Sequence, residues 1–215
     1  MIADAEAVLA FWFEGEPDRF QKRWFKADPA FDAACRQRFA TTWEAARGVP
    51  IAPGPGTQSA ARNGSPPMGT RGGAFREWAE APRGALALTL VLDQFPRNMH
   101  RGTRLAFASD GAARAVAELA LARGFDAALW PVQRIFLYLP FEHSERLEDQ
   151  EKSVALFKGL SAAPGLADAD GPIDYARRHR DVIRRFGRFP HRNAALGRVS
   201  TPEELAWLSR HESAF

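Results

Sequence analysis

Cysteine is nearly absent from this 215-residue chain, which holds one, Cys35, so no disulfide can form within it. That usage goes with a reducing compartment, and we expect the protein in the cytoplasm. Long apolar runs are missing too. The longest, ALALTLVL and IFLYLPF, fall far short of the roughly 20 residues that span a bilayer, so no membrane partner is expected. The opening MIADAEAVLAFWF has no basic region and no small-residue cleavage site, and does not read as a signal peptide. No useful stretch of apolar–polar alternation occurs, which argues against a sheet. Neither H-E-x-x-H nor G-x-S-x-G is present, so a zinc helix and a serine nucleophile elbow lose their usual signatures; no metal and no cofactor is expected. The formal net charge is only +3 and no standard recognition motif appears, so nucleic-acid binding is not expected.

Lysine is scarce at 4, and arginine, at 25, supplies almost all the positive charge. Arginine suits planar hydrogen bonding to carboxylates and other anions. Between Asp174 and Arg198 stand 8 Arg and 2 Asp, a local excess larger than that of the whole chain and a candidate anion-facing surface. Hydrophobic residues make up 46% and aromatics 11%, enough for a sizeable core in one all-helical domain over 1–215.

Helix punctuation is frequent. Asp28 and Pro29 open a helix whose face carries Phe31, Cys35 and Phe39, and this spacing makes Cys35 a small buried hydrophobe. Residues 49–73 hold 5 Pro and 6 Gly and read as a flexible loop or insertion. A central buried helix is predicted from Pro82 to about Gln94, then an Ala-rich helix stopped by Gly124 with a stripe of Leu105, Ala108, Ala112, Ala115 and Leu119. Further helices are predicted between Pro131 and Pro140, after Ser144, from Pro172, and from the capping box Thr201–Glu204. The total is eight or nine.

Polar residues on apolar faces attract attention. Asp93, at the predicted end of the central helix, needs a cation; Arg97 and Arg101 follow, although Pro96 disfavours a simple helical pair with Arg97. His179 falls in the stripe Tyr175/Ala176, His179, Val182/Ile183, Phe186, and Gln150 shares a face with Leu147, Val154 and Phe157. Each reads either as a hydrogen-bonded core residue or, for His179, as a ligand or acid–base group. His143 follows the expected break at Pro140, and Ser144 reads as a helix cap. Two segments echo each other: QFPRNMHRG (Gln94–Gly102) and RFPHRNAALGR (Arg188–Arg198) both place Arg and Asn after Phe-Pro, where a helix is expected to end. Such side chains can tie helix-end carbonyls or cradle an anion. Asp93 is the expected internal partner for the arginines of the second segment.

The segments VLAFWF, LDQFPRNMHRGTRLAFASD, FLYLPFEHSERLEDQEKSVALF and RFGRFPHRNAALGRVSTPEE together resemble the bacterial family of unknown function DUF924. The resemblance implies a tetratricopeptide-like antiparallel helical array with a right-handed superhelix. It carries no catalytic residues. Two departures from the family pattern stand out. Residues 49–73 look like an insertion, and Glu142 stands where the pattern usually has Met, which is expected to raise the pKa of an adjacent His143.

The candidate surface is Asp93, Arg97, Asn98, Arg101, His143, Glu145, His179, Arg188, His191, Arg192 and Asn193. Its convergence would suit a binding or scaffold module for an acidic peptide or a small anionic ligand. The alternative is an acid–base enzyme, hydrolase-like, pairing a histidine with Asp93 or Glu145 beside the arginines.

Overall fold

The computed structural model describes residues 1–15, 18–50, 71–160, 163, 166 and 171–210; these are helical, with no strand among them. Helix α1 (Ala5–Trp12) begins where the Asp4 carboxylate accepts the Ala7 N–H at 2.7 Å, and it buries Val8, Leu9, Phe11 and Trp12. Helix α2 (Pro29–Ala46) is capped by Asp28, which accepts from Ala30 and Phe31, and it buries Cys35, Phe39 and Trp43. Burial also pushes the Cys35 thiol pKa up, as suits an inert core residue.

The expected loop at 49–73 lies mostly outside the described residues. Its last three residues are helical instead, because α3 spans Arg71–Trp78. Gly72 and Gly73 weaken a helix by about 1 kcal/mol each, but the fully buried Phe75 pins this one to the core. Helix α4 (Pro82–Thr89) is buried on nearly every side. Gly84 is required there, since a Cβ would overlap the Trp78 carbonyl.

The central helix does not stop near Gln94. It passes through a π-helical segment, Leu90–Gln94, into α5 (Phe95–Met99). The Phe95 N–H reaches back five residues to the Leu90 carbonyl, and this widened turn admits Pro96 without ending the helix. Pro96 brings no N–H for the carbonyl four residues back, that of Leu92. The Ser109 hydroxyl donates to it instead, at 2.6 Å, and also accepts the Trp43 indole N–H at 2.9 Å. The Asp93 carbonyl takes a 2.7 Å bond from Arg97. Asp93 is therefore inside a helix rather than at its end.

Helix α6 (Asp110–Ala122) buries Ala113, Val116, Ala117 and Ala120. The expected stripe was set one residue off, because Arg104–Phe107 form a separate 3-10 turn that breaks the register, and Leu105 is exposed. Helix α7 (Pro131–Glu142) likewise runs through Pro140 rather than breaking there. Helix α8 (Leu147–Leu160) packs on α7 and on α9 (Pro172–Phe186), which closes at Gly187 with φ of 68°. A 3-10 turn (Pro190–Arg192), α10 (Asn193–Leu196) and α11 (Pro202–Leu208) follow. The second Phe-Pro thus lies beyond a helix end already made by Gly187. Counting α4, the π segment and α5 as one gives ten helices among the described residues, against the eight or nine expected; α3 and α10 were not foreseen.

The core is in two parts. The larger is built chiefly from helices α1 to α8, with Trp12, Phe39, Phe95 and Phe136 among its buried aromatics. The smaller consists of Val182, Ile183, Phe189 and Trp207, between α9 and the C-terminal turns. The polar groups described next lie between these two apolar regions.

Candidate functional site

The π segment aims Asp93, fully buried, at the first residue after α7. His143 Nδ1 lies 2.8 and 3.0 Å from the two Asp93 carboxylate oxygens. Gln94 donates to the same carboxylate at 2.6 Å, and Arg97 stands 3.2 Å from it as an i,i+4 pair. The pairing that Pro96 was expected to prevent therefore forms, because the helix continues. Arg97 also makes a bidentate pair with Asp110 at 2.9 and 3.0 Å. Arg192 reaches Asp110 from the other side, at 3.2 Å. The two Phe-Pro segments thus meet on Asp110, at the start of α6, and not on Asp93 as expected.

Arg192 is enclosed. Its guanidinium lies over the rings of Phe107 (4.6 Å) and Phe189 (4.5 Å), and its side chain is 7% exposed. Its Nε is buried with no hydrogen-bond partner. His179 and His191 each lie 5.5 Å, ring to ring, from Phe189, and His143 lies 6.5 Å from His179. His179 Nδ1 donates to the Tyr175 carbonyl at 2.9 Å and stands 3.3 Å from the buried Glu142 carboxyl. Asp93, Arg97, His143, His179, His191 and Arg192 therefore come together.

The other candidates do not join them. Asn98 and Arg101 turn to Asp32 on α2: Asn98 donates at 2.8 Å, Arg101 at 2.5 and 3.0 Å. Arg188 and Asn193 turn to the buried Glu204, Arg188 at 2.7 and 2.9 Å and Asn193 at 3.2 Å. Glu145 sits at the edge of the cluster, accepting the Phe189 N–H at 2.8 Å and two bonds from Arg198. The basic surface expected over 174–198 is largely neutralised. Arg177, Arg180, Arg184 and Arg185 are paired with Asp174, Asp181, Glu151 and Glu203. Gln150 ties the α7 end, donating to the carbonyls of Glu142 and Ser144 at 2.6 Å.

The electrostatics follow from burial and neighbours. Burial by itself would raise the Asp93 pKa, but Arg97 and His143 outweigh it and hold the carboxyl ionised. An ionised Asp93 requires the His143 proton on Nδ1, which leaves Nε2 as the acceptor. The His143 pKa is lowered, by burial and then by Arg97, against the pull of Asp93. Glu142 does not raise it as expected. Burial, with Asp93 nearby, pushes the Glu142 pKa up to about 8, so it is a neutral acid facing His179. Burial takes His179 down to about 3 and Arg192 down to about 10. His191 is exposed as a residue, yet the atoms packed round its ring, and then the Arg192 charge, lower its pKa too.

Several of these groups escaped the sequence reading. Asp110, Asp32 and Glu204 look like ordinary acidic residues near helix starts; the usable signal was the need of so many arginines for carboxylates. Phe107 was not singled out, and Phe189 was read only as part of the second Phe-Pro step. Among the described residues no group of three His, Cys, Asp or Glu could hold a metal ion, and no helix is long and apolar enough to cross a membrane.

Residues 8–212 match the model of a family described as bacterial protein of unknown function, DUF924. The chain belongs to that family. A solved structure described as a protein of unknown function, ATU0120 from Agrobacterium tumefaciens, is 37% identical, with a TM-score of 0.74 over 96% of this chain and 97% of that one. No curated protein matches. Family membership therefore fixes the ancestry of the fold and leaves the chemistry to be argued from the side chains.

Proposed function

We propose that this DUF924 protein binds a small anionic ligand at the Arg192–His143 cluster. One observation carries the reading: Arg192 is buried between two phenylalanine rings, yet among the described residues the single hydrogen bond of its guanidinium is the 3.2 Å contact to Asp110, and its Nε has no partner. Unmatched guanidinium donors in a desolvated place are costly in the empty protein and strong toward an oxyanion. His143 Nε2, left as an acceptor, makes no hydrogen bond among the described residues and its side chain is 14% exposed, so it can accept from a hydroxyl of a ligand such as hydrogenphosphate while Arg192 holds the charged oxygens. A small anion suits this place better than an acidic peptide, because so little of the cluster is exposed.

Two finer readings go with this one. Successive packing of α7 on α8 and α8 on α9 supports a tetratricopeptide-like array, and the lone buried Cys35 supports a cytoplasmic setting. An acid–base enzyme is the second functional reading, favoured by the Asp93–His143 pair: the ionised carboxylate orients the imidazole and leaves Nε2 able to take a proton.

Titration with orthophosphate and with acetate, followed by thermal melting, tests the binding reading. A ligand at about 100 times its dissociation constant adds ~2.7 kcal/mol, or roughly 5–11 °C for a chain of this size. Arg192→Gln should abolish the shift. If neither anion shifts the melting temperature, or if Arg192→Gln keeps the shift, the reading is wrong. Turnover of a bound ester that is lost in His143→Gln while binding persists would favour the enzyme.

A further inference from the structure

Asn98 and Arg101, the two candidates that leave the cluster, lead to a separate cavity of about 380 Å3 between the N-terminal half of α2 and the end of α5. From its walls we infer that it is a second ligand site, built for a small monocarboxylate with a short carbon body.

The charges on the walls do not balance. Asp32 is fully used: one oxygen takes Asn98 and Arg101 Nη2, the other takes Arg101 Nε. Arg36, also on the wall, makes no salt bridge among the described residues: it lies near enough to Asp32 to be felt by it, and donates only to the Met99 carbonyl. Two guanidiniums against one carboxylate leave one positive charge. Beside it, His100 holds Nε2 buried with no hydrogen-bond partner. Its ring packs on Trp43, 4.8 Å between centroids, so it cannot turn away freely to solvent. Burial and then the Arg36 charge lower the His100 pKa, which keeps the imidazole neutral and able to present an Nε2–H. Arg36 supplies the cation, and the orphaned Nε2–H, uncovered by a small shift of the His100 ring, supplies a neutral donor; together they match the two oxygens of a carboxylate.

The rest of the wall sets the remainder of the ligand. Pro29 and Ala33 offer carbon surface, and with Asp32 already answered no group is left to neutralise an amino group or a second acid. The volume lies at the lower end of the range for small-molecule sites, about 300–1,000 Å3. A short aliphatic or aromatic monocarboxylate fits; a dianion does not.

Trp43 reports on the site, since its indole N–H is fixed by Ser109 while its ring carries His100. In 1H–15N spectra of the full chain titrated with butyrate, the Trp43 indole signal should move and saturate. Phosphate, carrying more charge and no carbon body, should leave it unmoved at the same concentrations. Arg36→Gln should weaken butyrate about 10- to 100-fold, the loss of one charge-assisted contact. Ala33→Leu, which fills the cavity and keeps both arginines, should abolish binding. Arg192→Gln should leave butyrate binding intact whether or not the other cluster binds anions, so the two sites fail separately. The inference is overturned if butyrate moves no Trp43 signal, if phosphate competes equally, or if Ala33→Leu binds as the parent does.

Discussion

Replacing Ser109 with Ala removes one hydroxyl that serves two buried partners at once. The Leu92 carbonyl loses the donor that stands in for the missing Pro96 N–H, and the Trp43 indole N–H loses its acceptor. Ser109 itself is 2% exposed, so water does not replace it readily. Taking about 1.5 kcal/mol for each stranded group gives a loss of about 3 kcal/mol. An unfolding entropy of about 2.1 cal/mol/K per residue turns that into a fall of about 7 °C in Tm, measured by calorimetry or circular dichroism. A double-mutant cycle isolates the proline's share. In a Pro96→Ala background the restored N–H can serve the Leu92 carbonyl, so Ser109→Ala should then cost only about 1.5 kcal/mol, the Trp43 share. A Ser109→Ala loss below about 0.5 kcal/mol, or an equal loss in both backgrounds, would refute the account of how the π segment tolerates proline.

Asp110→Asn strips the charge that Arg97 and Arg192 share, and should destabilise by about 3 kcal/mol or more in a urea melt, because two enclosed guanidiniums are left underpaired. Gln150→Leu should cost about 2–4 kcal/mol, from the α7 carbonyls of Glu142 and Ser144 it leaves bare, read from the same melts. Glu142 has a folded pKa near 8 against an ordinary 4.5, so its stabilising contribution is full below pH 4.5 and is lost as the pH rises to about 8. Glu142→Gln has no proton to lose, and its stability relative to the parent should be higher at pH 8 than at pH 5, by about 1 kcal/mol or more. The reverse order across those two pH values would show that the carboxyl is ionised in the folded protein.

Most helices were legible because their starts are written in local chemistry. Asp28 with Pro29, Pro172, and Thr201 with Glu204 each act within three or four residues, and each opens its helix as read. The errors came at prolines. Pro96 and Pro140 were taken as stops, yet both helices continue; at Pro96 a widened turn and a side chain from a later segment satisfy what proline leaves open. Ser109 supplies a donor to a residue 17 positions earlier, and no local rule points to it. The candidate site was half legible for the same reason. Asp93, His143 and His179 announced themselves as polar groups in apolar surroundings, and Arg97 and Arg192 as members of the two echoing segments, whereas Asp110, which joins both arginines, resembles any acidic residue at a helix start. Which arginine meets which carboxylate is a property of packing, and Asn98, Arg101, Arg188 and Asn193 went elsewhere on that account alone.

The division of the core has a thermodynamic consequence. The patch of Val182, Ile183, Phe189 and Trp207 is small, and the segment from Gly187 to the end of α11 is held to the larger core through charged contacts at Asp110 and Glu145. Such a segment can open by itself at a lower free energy than global unfolding, and its amides should exchange first. An anion that bridges Arg192 and His143 would join the two cores across that seam. Its binding energy would then appear as slower exchange throughout the C-terminal segment, so that occupancy of a few atoms could be read from amides far from any ligand.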